Sequence, residues 1–397
     1  MIELASDSKR RSRSGTGTSP TPGAHPCSAP GRKRAGSGRV RIIVEGNRTL
    51  KAAAAAFLPL AACLWAIQPA AAQDKTTRIT PEVLVVTMFE VPGDTPGEAQ
   101  RWIENEKLTT RIAIPGLSKA FPDLLCNAEG LCLVTTSMGY ANAASSISAL
   151  VLSDELDLSH TYILIAGIAG VDPADGTLGS AHWARYAIDG GLQWQIDGRQ
   201  IPKEWSTGQL GIFSATPKDK PKPEYGTEVF HLNEALAQNA YDLSKDVKLE
   251  DSEEAKKYRA HYPDAPANQP PAVSICDTVS SDTWWSGSLM SRAMNDWAKL
   301  MTDGAANYCT TQQEDNATLT ALSRGADMGR IDMKRVALLR TASDFDQEYP
   351  GQTPEQSLHA KTGAFIPSVE NAYLVGSRLT HAIVSDWPAW KDGVPAN

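Results

Sequence analysis

Short apolar runs alternate with small-residue or amphipathic segments along the chain after residue 82. The runs VLVVTMF (83–89), LCLVTTSMG (131–139), TYILIAGIAGV (161–171) and RVALLRTASD (335–344) predict strands, because each is short and rich in branched apolar residues. Between the second and third runs, ANAASSISALVLS (141–153) predicts a helix that packs closely on a sheet. This alternation predicts an α/β fold with a central, largely parallel sheet covered on both faces.

The middle of the chain has a different pattern. Residues 181–202 alternate in polarity and contain two adjacent glycines, which predicts antiparallel β structure. The charged segment 232–258 predicts a solvated surface helix, and the Pro-rich segments 217–226 and 261–271 predict loops on either side of it. Ligands of open α/β sheets bind at the carboxyl ends of the strands, so the residues just past each strand are the candidates for chemistry.

The N-terminal segment predicts export. Lys51 precedes an apolar run at 52–65 and a small-residue stretch, so residues 51–73 are predicted to be a signal peptide, cleaved near Ala72 or Gln73. A membrane anchor is the alternative, but the run is shorter than the roughly 20 residues that a spanning helix needs. Residues 1–50 lack periodicity and predict a disordered extension or a misassigned start. Residues 74–397 are then one domain, located in the periplasm or secreted.

Charge argues against a nucleic-acid partner. The chain holds 38 basic and 46 acidic residues, and removal of residues 1–72 takes away 11 basic and 3 acidic ones. The remaining chain has a net charge near −16. It has no evident cationic surface to release counterions from a phosphate backbone.

The cysteines predict disulfides. Cys126, Cys132, Cys276 and Cys309 remain after loss of the leader, and an even number in an exported protein is typical of disulfide pairing. Three pairings are open in principle, and the local CNAEGLC spacing favours Cys126 with Cys132, which leaves Cys276 for Cys309. No His and Cys spacing is typical of a zinc site, so no metal is expected.

A dense polar cluster occupies the segment CTTQQEDNATLTAL (309–322), which is interpreted as the opening of a helix. Thr311 and Glu314 have the spacing of a capping box, in which both side chains satisfy free backbone N–H groups. That interpretation leaves Gln312, Gln313, Asp315 and Asn316 unexplained. The alternative is ligand binding, since a carboxylate in a first helical turn accepts hydrogen bonds well from the two hydroxyls of a ribose.

Three further stretches are candidates for a binding site. Asp344 and Asp346 follow a buried strand, where a carboxyl with a raised pKa could protonate a leaving group, although Asp and Ser there also form ordinary turns. Trp284 offers a flat face for a heteroaromatic base, although tandem tryptophans are common in cores. Gly167 and Gly170 would let a ligand approach a strand end closely, but no dinucleotide fingerprint, P-loop, G-x-S-x-G or H-E-x-x-H motif is present, so no cofactor is expected.

Taken together, CTTQQEDNAT, LLRTASDFD, SDTWWSGS and TTSMGYANAASSI resemble segments of the purine nucleoside permease family. The resemblance extends from about residue 83 to residue 395 and includes FIPSVENAYLVGS near the C-terminus. The family in turn resembles the nucleoside phosphorylase and nucleosidase fold. That fold implies a three-layer α/β/α sandwich around a central twisted mixed sheet.

The resemblance also implies roles for individual residues. Gln313 and Glu314 match the residue pair that binds the ribose hydroxyls in nucleosidases, and Asp344 in the Ser-Asp pair matches the acid that protonates purine N7. The implied base site is Asp282, Trp284 and Ser343, the implied ribosyl and nucleophile pocket is Gly139, Gly167 and Gly170, and Glu90 falls near the carboxylate that positions the attacking water.

Departures from the pattern bear on the reaction. Phosphorylases of this fold hold phosphate with an arginine before the Gly-rich turn and another after a Pro-Gly-Asp turn. Here Ile165 and Ala166 precede Gly167, and Gly97 and Glu98 follow PGDTP. Without those cations a phosphate dianion lacks charge-assisted partners, which favours water as the nucleophile.

Two alternatives to hydrolysis stay open. One is nucleoside capture and uptake without chemistry, which would need a membrane transport partner. The other is phosphorolysis. Related folds also leave a homo-oligomer open.

Overall fold

The computed structural model describes residues 78–91, 93 and 95–395. The predicted leader and the segment before it lie outside these residues. Within them, one large mixed sheet and one two-stranded sheet are formed. The strands are β1 (Val83–Thr87), β2 (Thr110–Ala113), β3 (Asp123–Cys126), β4 (Leu131–Thr135), β5 (Tyr162–Val171), β6 (Ala181–Trp183), β7 (Tyr186–Asp189), β8 (Gln193–Gln195), β9 (Gln209–Gly211), β10 (Val229–His231), β11 (Val273–Ile275), β12 (Asp277–Ser280), β13 (Tyr308–Gln312) and β14 (Val336–Phe345).

Helices cover both faces of the large sheet. In β1, Val83 and Val85 pack into one apolar layer and Leu84 and Val86 into the other, because successive side chains of a strand point to opposite faces. Helices α2 and α6 supply the layer of Leu84, whereas α1, α3, α8 and α9 supply the layer of Val83. The helices are α1 (Gln100–Asn105), α2 (Tyr140–Leu152), α3 (Glu234–Ser244), α4 (Glu253–Arg259), α5 (Ser288–Met301), α6 (Asp315–Asp327), α7 (Pro354–Leu358), α8 (Phe365–Ser385) and α9 (Trp387–Trp390).

The predicted α/β class is confirmed, with a sheet that is mixed rather than largely parallel. Its main order is β10-β7-β12-β13-β5-β1-β4-β3-β2, and β14 pairs with both β5 and β6. Strands β4, β1, β5 and β14 run parallel, but β13 is antiparallel to β5 and β3 is antiparallel to β4. The long strand β5 therefore contacts β1, β13 and β14, and it lies at the centre of the fold.

Two predictions for the middle of the chain were only partly right. Strands β6, β7 and β8 do form in the segment 181–202, but they do not pair with one another. Strand β6 pairs with β14 and β11, strand β7 pairs with β10 and β12, and strand β8 pairs with β9. The charged segment 232–258 forms two helices, α3 and α4, instead of one. Asn233 and Ser252 each cap a helix start, so the second cap begins a new helix.

The predicted cysteine pairs are present, because disulfides join Cys126 to Cys132 and Cys276 to Cys309. The second disulfide connects the residue before β12 with β13. His182 lies beside it, with its Nδ1 3.2 Å from Cys276 Sγ. In the described part of the chain, none of the helices combines the length and apolar character that crossing a bilayer requires.

Trp102 anchors α1 to the rest of the molecule. Its ring is fully buried, packs edge-on against Tyr373 of α8 at 5.1 Å between ring centroids, and occupies the space left by Gly376. A Cβ at Gly376 would lie 2.9 Å from Trp102 Cζ2, so this helix can approach α1 only with glycine at that position.

We predict that Trp102→Ala lowers the free energy of unfolding by about 3–5 kcal/mol, because a large buried ring is replaced by a cavity. Urea denaturation followed by circular dichroism measures this loss. The matched control is Trp194→Ala on β8, where the side chain is 46% exposed and the expected loss is less than about 1 kcal/mol. Equal losses in the two variants would contradict the packing described for α1.

Candidate functional site

The candidate site lies at the carboxyl ends of the parallel strands β1, β5 and β14, where β13 approaches them. In the register of β5 and β14, Arg340 is opposite Gly167 and Asp344 is opposite Gly170. In the register of β5 and β13, Thr311 is opposite Gly170 as well. Strand β5 therefore brings together residues that are far apart in sequence.

Gly170 allows an aromatic ring to lie against the backbone of β5. A Cβ at this position would be 2.9 Å from Trp284 Cη2 and 3.1 Å from the methyl group of Thr311. The Trp284 ring is partly exposed, whereas its neighbour Trp285 is buried in the core. Of the two tandem tryptophans, Trp284 is thus the one available to a ligand. Asp344 is opposite the same glycine in the register of β5 and β14.

Asp344 follows an irregularity in β14 at which the register with β5 shifts between Ala342 and Asp344. Its carboxylate is partly exposed and lies 2.9 Å from the Ser343 hydroxyl, which donates to Oδ2. Burial raises the pKa of Asp344, and the Ser343 hydrogen bond opposes that rise. A carboxyl of this kind holds its proton more firmly than a free aspartate does, which suits a general acid.

Glu314 lies at the end of β13, between the N-terminus of α2 and the guanidinium of Arg340. Its Oε1 accepts a hydrogen bond from the Gly139 N–H at 3.2 Å, and its Oε2 lies 3.2 Å from the Gln313 N–H and 3.5 Å from Arg340 Nη2. Burial raises the pKa of Glu314 to about 7. The positive charge of Arg340 opposes this rise, and the nearby carboxylates of Glu98 and Asp315 add to it. This residue therefore changes charge near neutral pH.

The predicted capping box at Thr311 and Glu314 is wrong. Helix α6 begins at Asp315, and Thr311 is a buried residue of β13, because this segment continues as a strand between β12 and β5. Gln312 supplies the cap instead, with its Oε1 accepting from the Glu314 N–H at 2.8 Å and the Asp315 N–H at 2.9 Å. The Glu314 carboxylate is consequently not used as a helix cap.

Asp282 and Gln313 connect the two halves of the site. Gln313 Nε2 donates to the Asp282 carbonyl oxygen at 2.6 Å, and the Asp282 carboxylate accepts from the Tyr140 N–H at 2.6 Å at the start of α2. Gly139 has a φ of +94°, and a Cβ there would lie 3.2 Å from Asp282 Oδ1. Asp282 thus holds the loop before α2, and its predicted contact with a base stays a prediction.

Arg340 is the residue that the sequence reasoning missed. Its side chain is 1% exposed, and its guanidinium forms a two-point ion pair with the fully buried Asp315. It also donates to the Ile168 carbonyl oxygen at 3.0 Å and to Gln312 Oε1 at 3.4 Å. In the sequence Arg340 is a single basic residue within an otherwise apolar run. Only its position, three residues before Ser343 and four before Asp344, distinguishes it.

A second missed residue is Glu98. This buried carboxylate accepts backbone hydrogen bonds from Met88, Phe89 and Ile168, and it lies against Gly167. The predicted water-positioning residue, Glu90, is in the same turn, but its Oε1 accepts from the Ala99 N–H at 2.7 Å. Among the hydrogen bonds of the described residues, those of Glu90 fix the start of α1, so its role with water stays a prediction.

The described residues offer one arrangement with metal-ligand spacing. His182, Cys276 and Cys309 have donor atoms within 4.8 Å of one another. Both sulfurs are in a disulfide, and the cluster lies at the opening residues of β12 and β13 rather than at their ends. It is separate from the edge at which Glu314 and Asp282 lie.

Solved structures with similarity to this chain include nucleoside-cleaving enzymes. A 5′-methylthioadenosine/S-adenosylhomocysteine nucleosidase from Neisseria meningitidis matches with 13% identity and a TM-score of 0.46, over 77% of this chain and 99% of that one. Futalosine hydrolase of Helicobacter pylori matches with 11% identity and a TM-score of 0.46, over 76% of this chain and 98% of that one.

Sequence relatives and a family model show the family of this chain. A probable purine nucleoside permease of Schizosaccharomyces pombe is 35% identical over 351 residues, which are 84% of this chain and 99% of that protein. A purine nucleoside permease of Candida albicans is 36% identical over 313 residues, which are 77% of this chain and 76% of that protein. The family model described as purine nucleoside permease matches residues 80–395. The chain therefore belongs to the purine nucleoside permease family.

Proposed function

We propose that this protein binds purine nucleosides outside the inner membrane and cleaves their N-glycosidic bond with water. The observation that carries the proposal is the pairing of two groups at one sheet edge. Asp344 is opposite Gly170 of β5, and the Trp284 ring lies against the same glycine. The Glu314 carboxylate, just after β13, lies beside Gly139 and Arg340, and Arg340 is opposite Gly167 of β5. This arrangement suits a base at one end and a ribose at the other.

In the proposed reaction, Asp344 gives its proton to N7 of the purine as the bond between C1′ and N9 breaks. The departing base keeps the bonding electrons, and C1′ acquires oxocarbenium character. A water oxygen then bonds to C1′, and the proton that the water loses restores Asp344. Free base and free ribose are the products.

Glu314 has the properties of a ribose-binding group. Its carboxylate is held by two backbone N–H groups, so it is fixed in place before a ligand arrives. When ionised, it accepts hydrogen bonds from two adjacent hydroxyls. Ser343 contributes by holding the Asp344 side chain. Gly170 lets the Trp284 ring approach the backbone of β5, and Gly167 leaves room for the Glu98 and Arg340 side chains.

Charge around the pocket favours a neutral nucleophile. Arg340 is the cation of this cluster, and it is already paired with Asp315 and close to Glu314. A phosphate dianion would enter beside three carboxylates, those of Glu98, Glu314 and Asp315. Water carries no such penalty, which agrees with the missing arginines before Gly167.

A second candidate function is nucleoside capture for uptake, and the names of the fungal relatives favour it. The protein would then bind the nucleoside without turnover and deliver it to a membrane transport partner.

We also propose that residues 51–73 are a cleaved leader, that residues 74–397 form a single domain and that the protein is a homo-oligomer. These proposals are compatible with either function.

We predict that the chain from Gln73 to Asn397 releases free base and free ribose from purine nucleosides in phosphate-free buffer. Chromatography of a panel of nucleosides measures both products. Ribose 1-phosphate formed only when phosphate is added would overturn the choice of water. Tight binding without any product would favour the capture function.

We predict that Asp344→Asn lowers kcat about 100-fold or more while nucleoside binding is retained, because an amide, unlike a carboxylic acid, has no acidic proton to transfer to N7. Steady-state kinetics and calorimetric binding separate the two effects. The control is Asp327→Asn at the end of α6, an exposed carboxylate whose removal leaves kcat unchanged. A D344N enzyme with normal kcat would remove Asp344 from the mechanism.

We predict that nucleoside affinity rises with pH through a midpoint of about 7, because the pKa of Glu314 is raised to about 7. Below that pH the protonated carboxyl accepts from only one oxygen well, and above it both oxygens accept from ribose hydroxyls. Calorimetric titrations from pH 5.5 to pH 8.5, at roughly one-unit steps on either side of the midpoint, follow the change. Glu314→Gln should bind weakly at every pH, and a wild-type midpoint that survives in this variant would assign the titration to another group.

A further inference from the structure

The carboxylate of Glu98 has the surroundings of a bound anion. Its Oε2 accepts from the Met88 N–H at 2.7 Å and from the Phe89 N–H at 2.9 Å, just after β1 ends. Its Oε1 accepts from the Ile168 N–H at 2.8 Å, near the end of β5. Three backbone donors from two neighbouring strands thus converge on one buried carboxylate.

Arg340 and Gly167 complete these surroundings. The Glu98 side chain is 1% exposed; burial raises the pKa of Glu98, and the positive charge of Arg340 opposes that rise. A Cβ at Gly167 would lie 2.6 Å from Glu98 Oε1 and 2.8 Å from Arg340 Nη1. Only glycine therefore lets the carboxylate and the guanidinium approach the same point of β5.

Glu90 provides a contrast within the same turn. Its carboxylate accepts from one backbone N–H, that of Ala99, and it is partly exposed. Burial raises the pKa of Glu90, and the hydrogen bond from the Ala99 N–H opposes that rise. One backbone N–H group thus holds the Glu90 carboxylate, whereas several donors line the place that the Glu98 carboxylate fills.

We propose that the ends of β1 and β5 form an oxyanion-binding site, and that Glu98 is a built-in anion that occupies it and keeps inorganic phosphate out. The donors that hold the Glu98 carboxylate are those that would hold two oxygens of a phosphate or sulfate ion, namely converging N–H groups near a guanidinium. Backbone N–H groups at the strand ends form this site, so its presence does not depend on which nucleoside the protein binds.

The consequence for catalysis rests on the proposed function. With Glu98 in place, a phosphate ion finds its donors occupied and three carboxylates close by. Water is then the nucleophile left to attack C1′. Glu98 is in this sense a specificity-determining residue, which selects the nucleophile without touching the nucleoside.

The test is the response of Glu98→Ala to inorganic phosphate. Removal of the carboxylate exposes the three N–H groups and Arg340, and phosphate should refill the space. We expect phosphate to raise the Tm of this variant by roughly 3 to 5 °C at about tenfold its Kd, compared with chloride at equal ionic strength. Wild type and the control Glu90→Ala should show no such difference between the two salts.

Each outcome bears on the proposal. A folded E98A variant that responds to phosphate no more than E90A overturns it. If E98A does not fold in chloride, it should refold in phosphate, and failure in both salts also overturns it. Because no nucleoside is present in this experiment, its result is independent of whether the protein has nucleosidase activity.

Discussion

The candidate site depends on one buried guanidinium. Arg340 lies inside β14, is paired with Asp315 at the start of α6, and is close to Glu314 and to the Ile168 carbonyl of β5. A buried charge is tolerated only when an opposite charge and hydrogen-bond partners surround it. Removal of one member of a buried ion pair typically lowers the free energy of unfolding by about 3–5 kcal/mol. The pair therefore fixes β14, β13 and β5 relative to one another, and with them Asp344, Glu314 and Gly170.

The same cluster sets the electrostatics of the pocket. One cation faces three carboxylates, those of Asp315, Glu314 and Glu98, in a region with little water. Burial, opposed by Arg340 and assisted by the neighbouring carboxylates, raises the pKa of Glu314 to about 7, so this carboxyl holds its proton more readily than usual. A ribose hydroxyl or a water molecule is compatible with this environment, whereas a further anion is not.

Much of the architecture could be predicted from local patterns. The apolar runs of β1, β4, β5 and β14 and the small-residue helix α2 are where the sequence predicts them, because a buried strand or a tightly packed helix needs those residue types in its own segment. The pairing of Cys126 with Cys132 was accessible for a similar reason, since the two cysteines are six positions apart.

The rest depended on contacts between distant segments. Arg340 and Asp315 are 25 residues apart, and Glu98 and Ile168 are 70 apart, so neither contact leaves a local pattern. The capping box failed because the pairing of β13 with β5 and β12 overrides the local signal at Thr311. Ser343, Asp344 and Trp284 were candidates from the sequence alone. That Asp344 is opposite Gly170 and that the Trp284 ring lies against it depend on contacts between distant segments.

The most direct test of the site is a crystal structure with a purine C-nucleoside, in which a carbon–carbon bond joins base and sugar and cannot be hydrolysed. We expect the ribose hydroxyls within hydrogen-bonding distance of the Glu314 carboxylate, the base against the Trp284 ring, and its N7 edge facing Asp344. A ligand bound elsewhere, such as in the cavity lined by Arg101 and Glu370, with the Glu314 carboxylate untouched, would contradict the account.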